Sequence, residues 1–186
     1  MSTKMKEDIV HKIEIPEGVD IEKDGSLLKI KGKRGELSRS FAIHGISISI
    51  KNRDIIIEAK RATKREKKIA GTFKAHIKNM IKGVLEGHRY RLKACSSHFP
   101  MSISIENGFF VVRNFLGEKA PRKTPVIEGV EIEIKGNDIT VISNNKEAAG
   151  QMAANIEQLT KIKEKDRRVF QDGIYITHIN EKEVHK

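Results

Sequence analysis

Cys95 and His98, in the segment CSSHF, form the one residue pair in the sequence that suggests catalysis. A thiolate beside an imidazole base could act as a nucleophile in acyl transfer. Catalytic groups meet in space rather than along the chain, so a spacing of three residues carries little weight by itself. We interpret Cys95 instead as a small buried residue at the end of a strand.

Other catalytic and cofactor-binding patterns are not found in the sequence. The segment GKRGE lacks the G-x-x-x-x-G-K-[ST] frame of a nucleotide-binding loop, and no G-x-G-x-x-G segment follows a strand-like run. The seven histidines do not fall at metal-ligand spacing, and one cysteine cannot build a thiolate zinc site. We therefore predict no enzymatic activity, no cofactor, no bound metal and no small-molecule substrate.

Positive charge is the strongest chemical signal of the 186-residue chain, which has a formal net charge of +11. This excess favours an anionic partner, nucleic acid first and a membrane surface second. No apolar run approaches the ~20 residues that a membrane-spanning helix needs. The N-terminal segment MSTKMKEDIVHK also lacks the apolar core of a secretory signal, so we expect an intracellular protein.

The first cluster of basic residues is KRATKREKK at 60–68, which we place on the first turns of a helix. Cations there oppose the helix dipole at a cost of about 0.3 kcal/mol or more each, so folding alone would favour acids. Their presence indicates a role in phosphate binding, with a solvated charge run as the alternative. The candidate residues are Lys60, Arg61, Lys64, Arg65, Lys67 and Lys68.

The second cluster, KIKEKDRR at 161–168, follows a second predicted helix. The helix dipole favours cations at that end, so a purely structural role competes with a functional one. The segment VFQDGIYI comes next, and its Phe170 and Tyr175 complete a basic and aromatic tail that could lie on RNA. A place in the core is the alternative for both aromatic residues.

The third cluster lies in RNFLGEKAPRKTP at 113–125, a long link between two predicted strands. Pro121 and Pro125 stiffen this link. Long basic loops on rigid sheets are common places for phosphate contacts, although a surface hairpin tip would have the same composition. Its basic residues are Arg113, Lys119, Arg122 and Lys123.

An internal repeat supplies the elements that must position these clusters. The segment AGTFKAHIKNM at 70–80 resembles AGQMAANIEQL at 149–159, and both have the apolar spacing of an amphipathic helix. Upstream, ISIKNRDIII at 48–57 resembles IEIKGNDITV at 132–141, and LLKIKGKRGE at 27–36 resembles FFVVRNFLGE at 109–118. The sequence therefore predicts a duplicated unit with its strands first and its helix last.

We predict an α+β fold of two tandem duplicated domains, residues 1–86 and 87–186, each an antiparallel sheet packed against one α-helix. Helix start signals are Thr63 with Glu66 in the first copy and Asn144 with Glu147 in the second. Charge is unevenly divided between the two domains. Residues 1–86 carry 20 basic and 12 acidic side chains, and residues 87–186 carry 16 basic and 13 acidic side chains. Composition alone thus favours the first domain for an anionic partner.

The doubled unit, RNFLGEKAPRK and NIEQLTKIKEKDRRVFQDGIYI together resemble the universal large-subunit ribosomal protein six family in its archaeal and eukaryotic form. The resemblance covers essentially the whole chain, and NFLGEK and DGIY are its most specific parts. The Gly-Lys-rich C-terminal tail of the bacterial branch is missing, so contacts of that tail are not transferred.

The resemblance implies a non-catalytic component of cytoplasmic ribosomes. It implies that the second domain binds large-subunit ribosomal RNA beside the sarcin-ricin loop, near the stalk base where translational GTPases dock, with neighbouring ribosomal proteins as further partners. The implied RNA-binding residues are Arg113, Asn114, Lys119, Arg122, Lys123, Lys161, Lys163, Lys165, Arg167, Arg168 and Tyr175. The cluster at 60–68 becomes a secondary RNA surface.

Two alternatives stay open at the level of the sequence. A free-standing regulator with tandem domains that binds structured RNA would have the same basic clusters. An RNA-processing enzyme would need a set of titratable residues in a cleft, and the sequence offers only Cys95 and His98 for that role.

Overall fold

The computed structural model describes residues 7–51, 53–166 and 168–184. Contacts between residues divide the chain into two compact units, Met1–Glu86 and Gly87–Lys186. Each unit combines antiparallel strands with one long α-helix, so the predicted α+β class is confirmed. Within the described ranges, no helix has the length and apolar character needed to cross a membrane.

The first unit distributes its strands over two antiparallel sheets, with strand orders β2-β3-β4 and β1-β6-β5. Helix α1 packs against strands of both sheets. The elements are β1 (Glu7–Glu14), β2 (Asp20–Asp24), β3 (Leu27–Gly32), β4 (Gly35–Ser40), β5 (Ser47–Lys51), β6 (Asp54–Ala62) and α1 (Lys64–Leu85).

Helix α1 begins with the predicted capping box. The Thr63 side chain accepts a hydrogen bond from the backbone of Arg65, and the Glu66 carboxylate accepts one from the Thr63 N–H at 2.8 Å. These contacts satisfy N–H groups that have no partner inside the helix. Residues spaced three or four apart, including Phe73 and Ile77, point into the core of the unit.

The C-terminal end of α1 is held by the turn between β3 and β4. The Arg34 N–H donates to the Val84 carbonyl at 3.0 Å, and the Arg34 guanidinium donates to the Glu86 carbonyl at 3.4 Å. A Cβ on Gly32 would lie only 2.8 Å from Val84, so the turn needs glycine there to approach the helix. The cation also complements the negative end of the helix dipole.

The second unit has sheets of order β8-β9-β10 and β11-β12-β7-β13-β14, again antiparallel. Helix α2 packs against strands of both sheets, and the core contains the buried residues Phe110 and Phe115. The elements are β7 (His88–Cys95), β8 (Ser102–Glu106), β9 (Phe109–Arg113), a 3-10 turn (Phe115–Gly117), β10 (Arg122–Pro125), β11 (Val130–Lys135), β12 (Asp138–Ser143), α2 (Lys146–Leu159), β13 (Gly173–Ile179) and β14 (Lys182–Glu183).

Strand order shows the duplication directly. The sheet β2-β3-β4 corresponds to β8-β9-β10, and β1-β6-β5 corresponds to β7-β12-β11. The second unit adds β13 and β14 on the other side of β7, where the corresponding strand β1 of the first unit has no described partner. Each unit therefore uses two sheets around its helix, rather than the single sheet suggested by the sequence pattern.

Two boundaries differ from the sequence prediction. Helix α2 is capped by Asn145, whose side chain accepts from the Glu147 N–H at 2.9 Å, and not by Asn144. Lys60 and Arg61 belong to strand β6, because pairing with β1 extends this strand to Ala62. The basic cluster at 60–68 therefore spans a strand end and the first turn of α1.

Candidate RNA-binding surface

Three loops of the second unit are bound to one another by hydrogen bonds. They are the 96–101, 114–121 and 160–172 loops, and together we call them the three-loop surface. The Asn114 amide donates to the Pro100 carbonyl at 3.0 Å, and the Ser97 N–H donates to Asp172 at 2.9 Å. Arg122, at the start of β10, donates to the Lys161 carbonyl at 3.3 Å. The three segments thus form one connected surface.

The 114–121 loop has a strongly constrained backbone. Asn114, Leu116 and Gly117 have φ values of 59°, 51° and 77°, in the left-handed region that most side chains avoid. Phe115 lies between them with 1% of its surface exposed, and Leu116 packs against the same core. These apolar contacts hold the base of the loop against the core.

Arg122 joins the end of this loop to the end of α2. Its Nε and Nη2 atoms donate to the Glu118 carboxylate at 2.8 and 2.6 Å, and its Nη1 atom donates to the Leu159 and Lys161 carbonyls at 2.8 and 3.3 Å. These contacts occupy most of the five N–H donors of the guanidinium. The hydrogen bonds from Arg122 also hold the pKa of Glu118 below its usual value, despite the opposing effect of burial.

The structure places Arg122 and Lys123 in strand β10, paired with β9, rather than in the long loop that the sequence suggested. Pairing with the apolar strand β9 is the physical reason, since it extends the sheet to Arg122. Lys123 points away from the core, with its ammonium 5.4 Å from the centre of the Phe109 ring. Lys119 stays in the loop and is exposed.

Arg113 forms a bidentate ion pair with Glu106 across neighbouring strands β9 and β8. Its two terminal nitrogens donate to the carboxylate at 2.5 and 2.8 Å, and Ser104 accepts a further bond at 3.3 Å. Hydrogen bonds from Arg113 and Ser104 lower the pKa of Glu106 from 4.5 to about 2. Arg113 is exposed, but most of its hydrogen-bonding capacity is already used.

The 160–172 loop presents several cations with different surroundings. Lys161 and Lys163 are exposed, and Lys165 lies with its ammonium 4.9 Å from the centre of the Phe170 ring. Arg168 is exposed but hydrogen-bonds its neighbour Asp166 at 2.8 Å. Arg167, also predicted to bind RNA, lies outside the described residues.

Lys119, Lys161 and Lys163 are exposed cations of the three-loop surface. Within the described part of the chain, their ammonium groups form no ion pair with a carboxylate. They differ in this respect from Arg122 and Arg168, whose charges are partly neutralised by nearby carboxylates.

The buried carboxylate of Asp172 holds the 96–101 loop by hydrogen bonds. Its side chain is 1% exposed and accepts hydrogen bonds from the Ser97 N–H, the His98 N–H and the His98 ring at 2.9, 3.2 and 3.2 Å. Burial raises the pKa of Asp172, but these hydrogen bonds outweigh it and hold the pKa below its usual value. The carboxylate therefore serves as the anchor of the loop.

Cys95 and His98, the pair that suggested catalysis, have different surroundings in the structure. Cys95 ends strand β7, as expected, but it is exposed rather than buried. Alternate residues of β7 face the core, and Cys95 falls on the outer face after the inward-pointing Ala94. The His98 ring contacts Asp172 and stacks on Phe170, with 5.0 Å between the ring centres.

Tyr175 lies within strand β13 and not on a free tail. Its backbone is paired with Lys93 of β7, and its hydroxyl donates to the Gln171 carbonyl at 2.9 Å. The half-buried ring packs over Gly173, where an added Cβ would lie 3.0 Å from the ring. The part of the C-terminal segment that was predicted to lie on RNA is thus partly built into the sheet.

The secondary cluster of the first unit remains a basic surface. The side chains of Lys60, Arg61, Lys64, Arg65, Lys67 and Lys68 are all exposed. Glu66, the single acid among them, is engaged by Thr63 in the capping box, and these hydrogen bonds lower its pKa. The cations around the start of α1 therefore face the solvent, where an anionic partner could contact them.

Phe99 is a feature of the three-loop surface that sequence reasoning missed. It is 47% exposed, between His98 and Pro100, and its ring lies against Gly117. The available signal was the segment HFP, an aromatic residue placed before proline in a connection between two strands. No described group of three His, Cys, Asp or Glu side chains on either unit could hold a metal ion.

Comparison with known proteins supplies a family. A model described as ribosomal protein L6 matches residues 15–87 and 99–173, one stretch in each unit. "Large ribosomal subunit protein uL6" of Staphylothermus marinus is 46% identical over 179 residues, covering 94% of this chain and 97% of the relative. The protein of the same name from Methanococcus vannielii is 44% identical over 168 residues, covering 90% and 92%.

A third relative with this name, from Aeropyrum pernix, is 43% identical over 169 residues, which cover 90% of this chain and 93% of the relative. Similarity at this level extends over both units and is not confined to one motif. The relatives also match the archaeal form of the family that the sequence resembles.

Proposed function

The chain belongs to the ribosomal protein L6 family, and from that premise we propose that it is a structural constituent of the large ribosomal subunit that binds large-subunit ribosomal RNA. Its relatives are structural proteins and not enzymes, and this chain is likewise not an enzyme. Membership of the large subunit places it in the cytoplasm, with ribosomal RNA and neighbouring ribosomal proteins as partners.

The three-loop surface is our candidate for the main RNA contact. The observation that carries it is the exposure of Lys119, Lys161 and Lys163 on a surface whose loops are tied together by hydrogen bonds. A preorganised basic surface loses little entropy on binding, so each phosphate contact contributes more to affinity than it would on a mobile loop. Arg122 acts in this proposal by positioning the loops.

Recognition on this surface is of RNA shape rather than of base sequence. The basic residues lie on loops and at the end of a helix, and the major groove of A-form RNA is too narrow for side chains to read. Affinity should fall when the tertiary fold of an RNA target is disrupted, even if its sequence is kept. Equal affinity for a shuffled, unfolded RNA would contradict this.

The resemblance to the family supports a more specific location. We propose that the second unit lies beside the sarcin-ricin loop near the stalk base, where translational GTPases dock. The exposed cluster at 60–68 in the first unit offers a secondary RNA surface. Its four helical cations, Lys64, Arg65, Lys67 and Lys68, stand at the end of α1 where they do not help the helix.

A triple variant tests the main surface. Changing Lys119, Lys161 and Lys163 to Ala should weaken binding to a ribosomal RNA fragment that contains the sarcin-ricin loop. The slope of log K against log salt should flatten by roughly 0.7–0.9 for each phosphate that is no longer neutralised. The matched control changes Lys93, Lys135 and Lys182, which are exposed on strands of the same unit. Equal effects of both triples would show that only net charge matters.

A free-standing regulator that binds structured RNA is the second candidate, since the basic surfaces suit that role as well. Sedimentation separates the two. A ribosomal protein should remain with large subunits through a high-salt wash, whereas a regulator should be released. Recovery of the chain only in the top fractions of the gradient would overturn the ribosomal assignment.

A further inference from the structure

We propose that Phe99 is a stacking platform for an unpaired base of the bound RNA. This inference rests on the proposed RNA-binding function and adds the kind of nucleotide that the three-loop surface takes. The ring is 47% exposed, the largest exposed fraction of any aromatic side chain identified as exposed on the described surface. Its position is fixed by the residues on both sides.

The N-terminal neighbour of Phe99 is anchored by a buried carboxylate. The His98 N–H donates a hydrogen bond to the Asp172 carboxylate at 3.2 Å. The Nδ1 atom of the His98 ring lies 3.2 Å from the other oxygen of the same carboxylate. The His98 ring also stacks on Phe170 at an angle of 32°. The backbone that leads into Phe99 is therefore held by charge-assisted and aromatic contacts.

The C-terminal neighbour is held from the opposite loop. The Pro100 carbonyl accepts the hydrogen bond from the Asn114 amide, and proline itself restricts the backbone there. One side of the Phe99 ring is supported by Gly117, where an added Cβ would lie 3.5 Å from two ring atoms. Nearly half of the Phe99 side chain is exposed to solvent.

A rigidly held, half-exposed aromatic ring is suited to stacking. Unpaired bases of RNA stack on aromatic side chains, and removal of the aromatic ring by alanine substitution lowers affinity roughly tenfold or more. Because the neighbours of Phe99 are already ordered, little entropy is lost when a base is placed on the ring. A base within an A-form helix is stacked between its neighbours, so the site selects a nucleotide from a loop or bulge.

The surrounding charge favours a nucleotide over a protein partner. Lys119 follows the supporting Gly117 by two residues and is exposed without an ion pair in the described structure. Lys165 lies over Phe170, the ring that stacks on His98. A phosphate flanking the stacked base would meet these cations, whereas an apolar protein patch would have to desolvate them.

Phe109 provides an internal comparison. It is 37% exposed on the outer face of the sheet β8-β9-β10, and the Lys123 ammonium lies 5.4 Å from its ring centre. Phe109 stands in a regular strand, without the flanking anchors of Phe99. The two residues allow the same substitution to be made inside and outside the proposed site.

The test uses tryptophan as a reporter, because the chain contains none. In the full-length F99W variant, a ribosomal RNA fragment that contains the sarcin-ricin loop should quench the emission strongly at saturation. The F109W variant should bind the same RNA with little quenching. The F99A variant should bind roughly tenfold more weakly with an unchanged salt slope, since no phosphate contact is removed.

The conservative variants F99Y and F99L complete the test. Tyrosine should keep the affinity because it keeps the ring, and leucine should lose it. If F99W binds the RNA fully but its emission does not change, or if F99L binds as tightly as the unaltered chain, Phe99 does not stack and a protein partner becomes the occupant. Failure of the unaltered chain to bind the RNA would instead overturn the proposed function.

Discussion

The guanidinium of Arg122 lies over the ring of Phe115, with Cζ 4.3 Å from the ring centre. Phe115 is buried, so the cation stacks on the outer boundary of the core while its N–H groups reach Glu118 and two carbonyls at the end of α2. One side chain therefore combines a cation–π contact, an ion pair and a helix C-terminal contact. Arg122 therefore holds the 114–121 loop to the core and to the end of α2.

Replacing Arg122 by Lys should destabilise the second unit even though the charge is kept. Lysine cannot reproduce the planar fork that reaches Glu118 and the carbonyls. We expect a loss of about 2 kcal/mol, visible as a lower Tm in calorimetry. Lys119→Ala is the control, since it should weaken RNA binding and leave the Tm nearly unchanged. A Tm for Arg122→Lys equal to that of the unaltered chain would show that these Arg122 contacts do not stabilise the unit.

Asp172→Asn should loosen the 96–101 loop in a pH-dependent manner. The lowered pKa means that ionised Asp172 stabilises the fold fully above pH 3.8, and that this stabilisation is lost as the pH falls through the lower folded-state value. At neutral pH we expect a cost of about 1–3 kcal/mol, because the amide offers only one acceptor oxygen.

Denaturation curves at several pH values would measure the effect of Asp172→Asn. The gap in unfolding free energy between the variant and the unaltered chain should be constant near neutrality and shrink in strong acid. Asp166→Asn removes a carboxylate from the same loop at an exposed site, so it should cost much less. A gap that grows on acidification would be inconsistent with the anchor.

NMR titration of carboxyl groups should find the pKa of Glu106 at about 2. Replacement of Arg113 by Ala should return it toward 4.5, because the bidentate hydrogen bonds are the main cause of the shift. The pair contributes fully above pH 4.5 and loses its contribution as the pH falls toward 2. Arg91→Ala, at an exposed position on β7, should leave Glu106 unchanged; an equal change would indicate a general charge effect.

Thr63→Ala should destabilise the first unit by about 1 kcal/mol through loss of the helix cap. Thr72 offers a matched control on the same helix, since its hydroxyl donates to the Lys68 carbonyl at 3.0 Å in an exposed position. Such back-bonding does not stabilise a helix, so Thr72→Ala should be neutral or slightly favourable. Urea denaturation would compare the two, and similar losses would rule out a special role for the cap.

Local periodicity predicted the helices and the duplication well. Phe73 and Ile77 in α1, and Met152 and Ile156 in α2, are buried as the spacing of apolar residues indicated. The period of a helix is a property of neighbouring residues and can be read from one segment. The same holds for the Thr63 cap.

Contacts between distant segments could not be predicted in this way. Asp172 meets Ser97 and His98 across more than 70 residues, and nothing near Asp172 in the sequence marks it as an anchor. The basic and aromatic segment at 161–175 contains the start of strand β13, which the sequence pattern did not reveal, because the pairing of β13 with β7 depends on an edge that only the folded sheet provides. Arg122 resembled a free loop cation for the same reason, since its partners Leu159 and Lys161, at the end of α2, are more than 35 residues away in the sequence.

Strand β2 has a consequence for the chain before it joins any partner. It forms an edge of the sheet β2-β3-β4, and an unpaired edge can template aggregation. Its sequence is DIEKD, so antiparallel pairing with a second copy in register would place Asp20 opposite Asp24 and Glu22 opposite Glu22. Like charges at these positions repel, and the newly made protein is thereby protected from self-association at this edge while it awaits assembly.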